Sequence, residues 1–198
     1  MRERKNRFRS KALERLKCRS RINGYIEDKR VLARLEEILR REHLREVMLY
    51  LPMKMEVDVR PLIRRLRRRG IAVYVPAMEG ESFRLVKYRL PLRKRRFGIY
   101  EPKNSKQYRR KSIDLAIVPV VGVDRAGRRI GFGKGMYDRF FAREGKYIKK
   151  TLLVQRHLCW SPEVLTDTWD LRGEMLITGK GTTIIDPDST QKNEKFSE

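Results

Sequence analysis

The sequence predicts an α/β fold, a single three-layer domain with a central, mainly parallel sheet flanked by helices. Three observations lead there. Short, almost unbroken apolar runs alternate along the chain with stretches of helical periodicity, and strands buried on both faces read as such runs because neither face meets water. At 198 residues the chain is long enough to bury the core this sheet needs. A glycine-rich loop lies just downstream of the most apolar run, where open parallel sheets bind ligands, beyond the carboxyl ends of their strands.

The elements follow in order. Phe8, Ala12 and Leu16 mark one face of an opening helix, and Val31, Leu35, Ile38 and Leu39 mark a second. Residues 46–53 read as a strand. A helix then runs from about Asp58, whose carboxylate can cap it, to Arg69, with Pro61 tolerated in its first turn. Gly70 ends this helix, and residues 71–75 form a buried strand that Pro76 is expected to stop. Residues 83–89 alternate like a half-exposed strand, and the basic stretch 93–111 reads mostly as loop. The most apolar run, 113–118, leads through Pro119 to the glycine loop, with a helix over 134–143 behind it. Residues 152–155 and 175–178 supply further strands. The domain is expected to span 1–186, with the polar residues 187–198 a disordered tail.

The net charge of +24 argues first for nucleic acid, since neutralising phosphates is the commonest use of such an excess. Its distribution weakens that reading. Residues 60–111 hold 18 basic and 3 acidic side chains, a surplus of +15, and residues 1–30 hold 12 and 4, a surplus of +8. Neither segment interleaves aromatic stacking positions or carries a zinc-finger or helix-turn-helix pattern. Nucleic-acid binding is therefore expected to be weak and salt-sensitive at most, and the surplus is either a solvated surface or a field that attracts an anionic ligand. No apolar run approaches the roughly 18 residues of a membrane span. Cys18 and Cys159, and His43 and His157, lie too far apart for a local metal motif. They are expected to be reduced packing thiols and surface imidazoles of a cytoplasmic protein that needs no obligate protein partner.

The stretch Gly131-Phe132-Gly133-Lys134-Gly135-Met136-Tyr137-Asp138-Arg139 carries the chemistry. Alternate glycines let backbone approach an anion, while Arg129, Lys134 and Asp138 stand around it. That set suits a magnesium-bound polyphosphate. A dinucleotide fingerprint would need its third glycine three residues after the second, whereas Gly135 comes two after Gly133. A Walker A loop would need glycine where Arg128 stands and Ser or Thr where Gly135 stands. Both are rejected.

The run Ile113-Asp114-Leu115-Ala116-Ile117-Val118-Pro119, then Val123-Asp124, Gly127 and residues 129–139, resembles the signature of the 5-formyltetrahydrofolate cyclo-ligases, also called methenyltetrahydrofolate synthetases. Lys5-x-x-x-Arg9 is similar to the family's N-terminal nucleotide motif, Phe97-Gly98-Ile99-Tyr100-Glu101-Pro102 to its Phe-Gly-Ile-x-Glu-Pro segment, and Asp170 with the strand after it to its closing segment. The resemblance implies ATP- and magnesium-dependent conversion of 5-formyltetrahydrofolate to 5,10-methenyltetrahydrofolate, with ADP and phosphate released. It implies catalytic roles for Lys134, Arg129 and Tyr137. ATP would meet Lys5, Arg9, Arg129, Gly131, Phe132, Gly133, Lys134, Gly135, Tyr137 and Asp138; the folate would meet Leu51, Glu56 and Tyr137; and Asp138 and Asp170 would hold Mg2+.

Read without the resemblance, Lys5 and Arg9 merely share a helix face, Glu56 could be a first-turn helix carboxylate and Asp170 a solvated loop acid. Met136 stands where the family has a first tyrosine, Val59 where it has threonine and Trp169 where it has histidine, and the spacing from Gln155 to Asp170 is stretched. The rival readings are a basic nucleic-acid-binding protein, against which Asp138 would repel a phosphate backbone, and an ATP-using enzyme of the same fold with another substrate.

Overall fold

The structure is a computed structural model that describes residues 2–95, 98–103 and 112–185. Its centre is a seven-stranded sheet built from β1 (Glu46–Met48), β2 (Ala72–Glu79), β3 (Ser82–Lys87), β6 (Leu115–Pro119), β9 (Thr151–Val154), β11 (Met175–Ile177) and β12 (Thr182–Ile184). The order across it is β12-β11-β9-β6-β1-β2-β3. The five inner strands are parallel and the two edge strands antiparallel.

Side chains alternate across each inner strand and so divide between two cores. Val47, Leu49, Val73, Val75, Leu115, Ile117, Leu152 and Val154 pack one face. There they meet Val31, Leu35 and Leu39 of α1 (Arg2–Arg40) and Leu62, Ile63 and Leu66 of α2 (Arg60–Arg68). Met48, Tyr74, Ala116, Val118 and Leu153 pack the other face, under Phe140 of α3 (Met136–Glu144). The expected three-layer α/β arrangement is the observed one.

The two expected opening helices are halves of α1, separated at Asn23, whose φ of −130° and ψ of 16° leave the helical region. The second half lies on the sheet. The first turns away to the carboxyl ends of the strands, where Ala12 and Leu16 pack on Val121 and Cys159. The helix expected from Asp58 begins at Arg60, with Val59 at its N-cap and Pro61 in its first turn. Asp58 is held by Arg60 instead, accepting from its backbone N–H at 3.0 Å and its guanidinium at 2.7 Å. Cys159 is a packing thiol as expected, but Cys18 is exposed, and His157 is half-buried rather than on the surface.

Pro76 does not stop its strand. β2 runs to Glu79, pairing with β3 throughout, because Pro76 directs its missing N–H toward β1, which has already ended at Met48. The stretch 93–111 is not simply loop, since β4 (Leu92–Lys94) and β5 (Tyr100–Pro102) pair within it. Phe97 and residues 104–111 lie outside the described residues, as does the tail 187–198. Three further short strands, β7 (Gly122–Asp124), β8 (Arg129–Ile130) and β10 (Trp160–Ser161), form a small sheet beyond the carboxyl end of β6. Asp124 anchors it. This buried carboxylate accepts from the N–H groups of Ala126 and Arg128 through one oxygen. The other accepts from Leu165, Thr166 and the Thr166 hydroxyl, at 2.6 to 2.9 Å.

Candidate active site

A cavity of about 260 Å³ opens at the carboxyl ends of β1, β2 and β6. The glycine loop closes one end. Gly133 and Gly135 have φ of +94° and +61°, the left-handed region where a side chain would be strained. At Gly131 a Cβ would collide with the Arg129 guanidinium, so glycine lets that cation lie against the loop backbone. Gly135 is also the N-cap of α3, which aims the first backbone N–H groups of that helix at the loop. The expected helix start at Lys134 is thus moved to Met136.

The Arg129 side chain is 5% exposed, donates from Nε to the Pro119 carbonyl at 2.9 Å, and lies 4.7 Å from the centre of the Tyr137 ring. Its Nη1 is 3.9 Å from Asp138 Oδ1, which also accepts from the Leu171 N–H at 3.2 Å. The first half of α1 crosses the same loop. Arg9 Nε donates to the Gly131 carbonyl at 2.8 Å, and Lys5 Nζ meets Asp170 Oδ2 at 2.5 Å. Burial holds the Arg9 guanidinium below its ordinary range, with Asp170 opposing and Arg129 adding to that effect. Lys5, Arg9, Arg129, Gly131, Asp138 and Asp170 therefore form one charged network, although α1 and the loop are more than a hundred residues apart. Lys134 is exposed and lines the cavity, and its carbonyl accepts from Arg139 at 2.5 Å.

The far end is apolar, enclosed and floored by Glu56. Leu51 and Tyr50, which follow β1, form one wall; Pro76, Met78 and Phe83 another; Ile99 and Met136 complete it. Phe132 and Tyr137 lie between the two ends. Tyr50 is anchored by donating its hydroxyl to the Val57 carbonyl at 2.9 Å. The turn at 53–56 aims Glu56 inward, its Oε2 accepting from the Met53 N–H at 2.7 Å. Glu56 opens onto the cavity but is otherwise surrounded by protein. That enclosure raises its carboxyl to about 7, against the Met53 hydrogen bond and the charges of Arg129 and Arg156. The phenols of Tyr50 and Tyr137 are pushed up by burial and then by Glu56, as expected of groups that share a mostly apolar cavity.

The structure thus brings Leu51 and Glu56 to one end and the glycine loop to the other, with the Tyr137 ring against Phe83 on one side and Arg129 on the other. Tyr50, Pro76, Met78, Phe83 and Ile99 were not singled out in the sequence. A rule that proline in a strand faces an unpaired side would have extended β2 and found Pro76 and Met78. Met136 stands in the cavity wall where a tyrosine was expected, Val59 is fully buried core, and Trp169 is 71% exposed.

The sequence model of the 5-formyltetrahydrofolate cyclo-ligase family matches residues 1–179. The chain belongs to that family. It is therefore an enzyme of the cyclo-ligase class. A 5-formyltetrahydrofolate cyclo-ligase of Escherichia coli K12 is 30% identical over 140 residues, covering 67% of this chain and 76% of that protein. One of Haemophilus influenzae is 27% identical over 144 residues, covering 68% and 75%. The NMR structure of Aquifex aeolicus 5,10-methenyltetrahydrofolate synthetase superposes with a TM-score of 0.73 at 26% identity, over 98% of this cyclo-ligase and 99% of that one. A Mycoplasma pneumoniae 5,10-methenyltetrahydrofolate synthetase shares the fold at a TM-score of 0.69 and 22% identity, over 87% and 97%.

Among the described residues of this cyclo-ligase no helix is long and apolar enough to cross a membrane, and no group of three or more His, Cys, Asp or Glu side chains could hold a metal by itself. Asp138 and Asp170 are nevertheless joined through Leu171, whose N–H Asp138 accepts. Two carboxylates beside the glycine loop fit Mg2+, which typically takes one or two protein carboxylates and fills the rest of its shell with other oxygens.

Proposed function

We propose that the enzyme converts 5-formyltetrahydrofolate to 5,10-methenyltetrahydrofolate, using ATP with Mg2+ and releasing ADP and phosphate. The observation that carries this reading is the two-ended cavity. A cationic, glycine-lined mouth continues into an apolar chamber whose floor is one enclosed carboxylate, Glu56.

A pterin ring presents adjacent N–H donors. Glu56, once ionised, can accept both, while Leu51, Met78 and Phe83 cover the ring faces. The formyl group then points to the loop. Its oxygen attacks the γ-phosphorus of ATP and ADP leaves; the second folate nitrogen closes on the formyl carbon and the oxygen departs as phosphate. Phosphorylation is needed because the formamide oxygen is otherwise a poor leaving group.

Lys134, Arg129 and the N–H groups of residues 131–135 stabilise charge spread over the phosphoryl oxygens. Arg9 and Lys5, from α1, hold the polyphosphate at its outer side. Asp138 and Asp170 would carry Mg2+, which when bound neutralises phosphate charge. Tyr137, between the two ends and stacked near Arg129, touches both substrates. The deciding experiment mixes the protein with ATP, magnesium and 5-formyltetrahydrofolate. Absorbance is expected to rise in the methenyl-folate band and to require all three; no rise with any one nucleotide would overturn the reading.

A further inference from the structure

β2 extends beyond the last residue with which β1 can pair, and this leaves a backbone donor to be accounted for. Odd-numbered residues of that stretch bond toward β3, as the Val73 carbonyl accepts from the Tyr88 N–H at 2.8 Å. Even-numbered ones bond toward β1, whose final contact is the Leu49 N–H on the Tyr74 carbonyl at 2.8 Å. Pro76, next on that side, has no N–H to satisfy. Met78 has one, and among the described residues no strand of the sheet pairs with it on that side.

Glu101 of β5 supplies the missing acceptor. Its Oε1 accepts from the Met78 N–H at 3.0 Å, the residue is only 7% exposed, and its Oε2 lies 3.8 Å from Arg95 Nε. Arg95 in turn donates its backbone N–H to the Ile99 carbonyl at 2.8 Å. Pro76, Met78 and Ile99 all line the apolar chamber. A buried carboxylate is an expensive device for one backbone bond when a fold can usually leave such a donor to a neighbouring strand or water. Here it occupies the place of a strand and joins two walls of the same chamber.

We propose that Glu101 is a positioning residue for the folate: its carboxylate clips β5 to the free stretch of β2 and so sets the gap between Met78 and Ile99 into which the pterin enters. The inference rests on the folate reading of the chamber. Glu101 touches neither phosphate loop nor reacting atoms, so its loss acts on one substrate.

Three full-length proteins decide it: the unsubstituted chain, Glu101→Ala and Glu101→Gln, the last of which keeps an acceptor for Met78 but gives up the charge facing Arg95. Glu101→Ala is expected to raise the KM for 5-formyltetrahydrofolate about tenfold, leave the KM for ATP unchanged and change kcat little, the effect of losing one buried hydrogen bond to a charged group. Its Met78 amide should exchange hydrogen rapidly where the unsubstituted chain protects it. Glu101→Gln should restore protection and most of the folate KM. Unchanged exchange at Met78, or equal rises in both KM values for both variants, would overturn the proposal. Failure of the unsubstituted chain to form methenyl product would instead refute the folate reading, while the exchange measurement would still judge the clip.

Discussion

At the loop end of the site, Lys134 is exposed on a contiguous run in which Gly133 and Gly135 hold positive φ; at the chamber end, Glu56 is enclosed among side chains drawn from segments far apart in the chain. The first end sets the exposed Lys134 beside cations that are already paired, Lys5 with Asp170 and Arg129 with Asp138. The second sets a single carboxylate in a mostly apolar lining, where its charge is costly. A substitution at the loop should thus act on turnover, and one at the chamber on recognition of the folate. That contrast is what experiment can break.

The largest effect is expected for Lys134→Ala. An exposed loop lysine contributes little to folding, but on a transferring phosphoryl group it stabilises charge that grows in the transition state, worth about 2–4 kcal/mol. Turnover should fall by the corresponding factor of about thirty to a thousand with an unchanged melting temperature. Near-normal kcat would remove Lys134 from the chemistry and with it the contrast.

Glu56→Gln should come next. Gln keeps the shape but sets an N–H donor against a donor of the pterin. The folate KM should rise ten- to a hundredfold, from about 1.5–3 kcal/mol for a hydrogen bond to a charged group, while calorimetry with ATP alone reads unsubstituted affinity. If ATP affinity falls in step, the two ends are not separate.

The raised pKa of Glu56 sharpens the same point through pH. Below the ordinary value of 4.5 the group is protonated whether the chain is folded or unfolded; between there and about 7 the folded chain keeps a proton that the unfolded chain has released. The folded state binds more protons in that window, so this group makes stability fall as pH rises across it, by at most about 1.4 kcal/mol per pH unit. Denaturant melts of the ligand-free protein should decline more steeply from 4.5 to 7 than those of Glu56→Gln, and folate affinity should weaken below about 7 only in the unsubstituted chain. Parallel curves for the two proteins would place Glu56 in water.

The smallest effect is expected for Asp138→Asn, a loss at the loop end that phosphates and water can partly make good. The magnesium concentration for half-maximal rate should rise several-fold, with the folate KM unmoved, because one anionic ligand of two is lost. An unmoved magnesium titration would make Asp138 a partner of Leu171 and Arg129 only.

The helices, six of the seven strands of the main sheet, the two apolar faces of α1 and the glycine loop were legible in the sequence because each rests on local periodicity or on backbone freedom carried by neighbouring residues. The resemblance that named Lys5, Arg9, Glu56 and Asp170 was legible for the same reason, as short contiguous motifs. Tertiary structure alone decided that the two halves of α1 join at a single non-helical residue, Asn23, and that the first half lays Arg9 on Gly131, a contact across more than a hundred residues that no local pattern carries. It alone decided that β2 passes Pro76, because whether a proline ends a strand depends on which side its missing N–H faces and on where the neighbouring strand stops. And it alone made Glu56 unlike the other carboxylates of the chain: desolvation is set by what surrounds a group in space, and Tyr50, Met78, Phe83 and Tyr137 come from segments that only folding brings together.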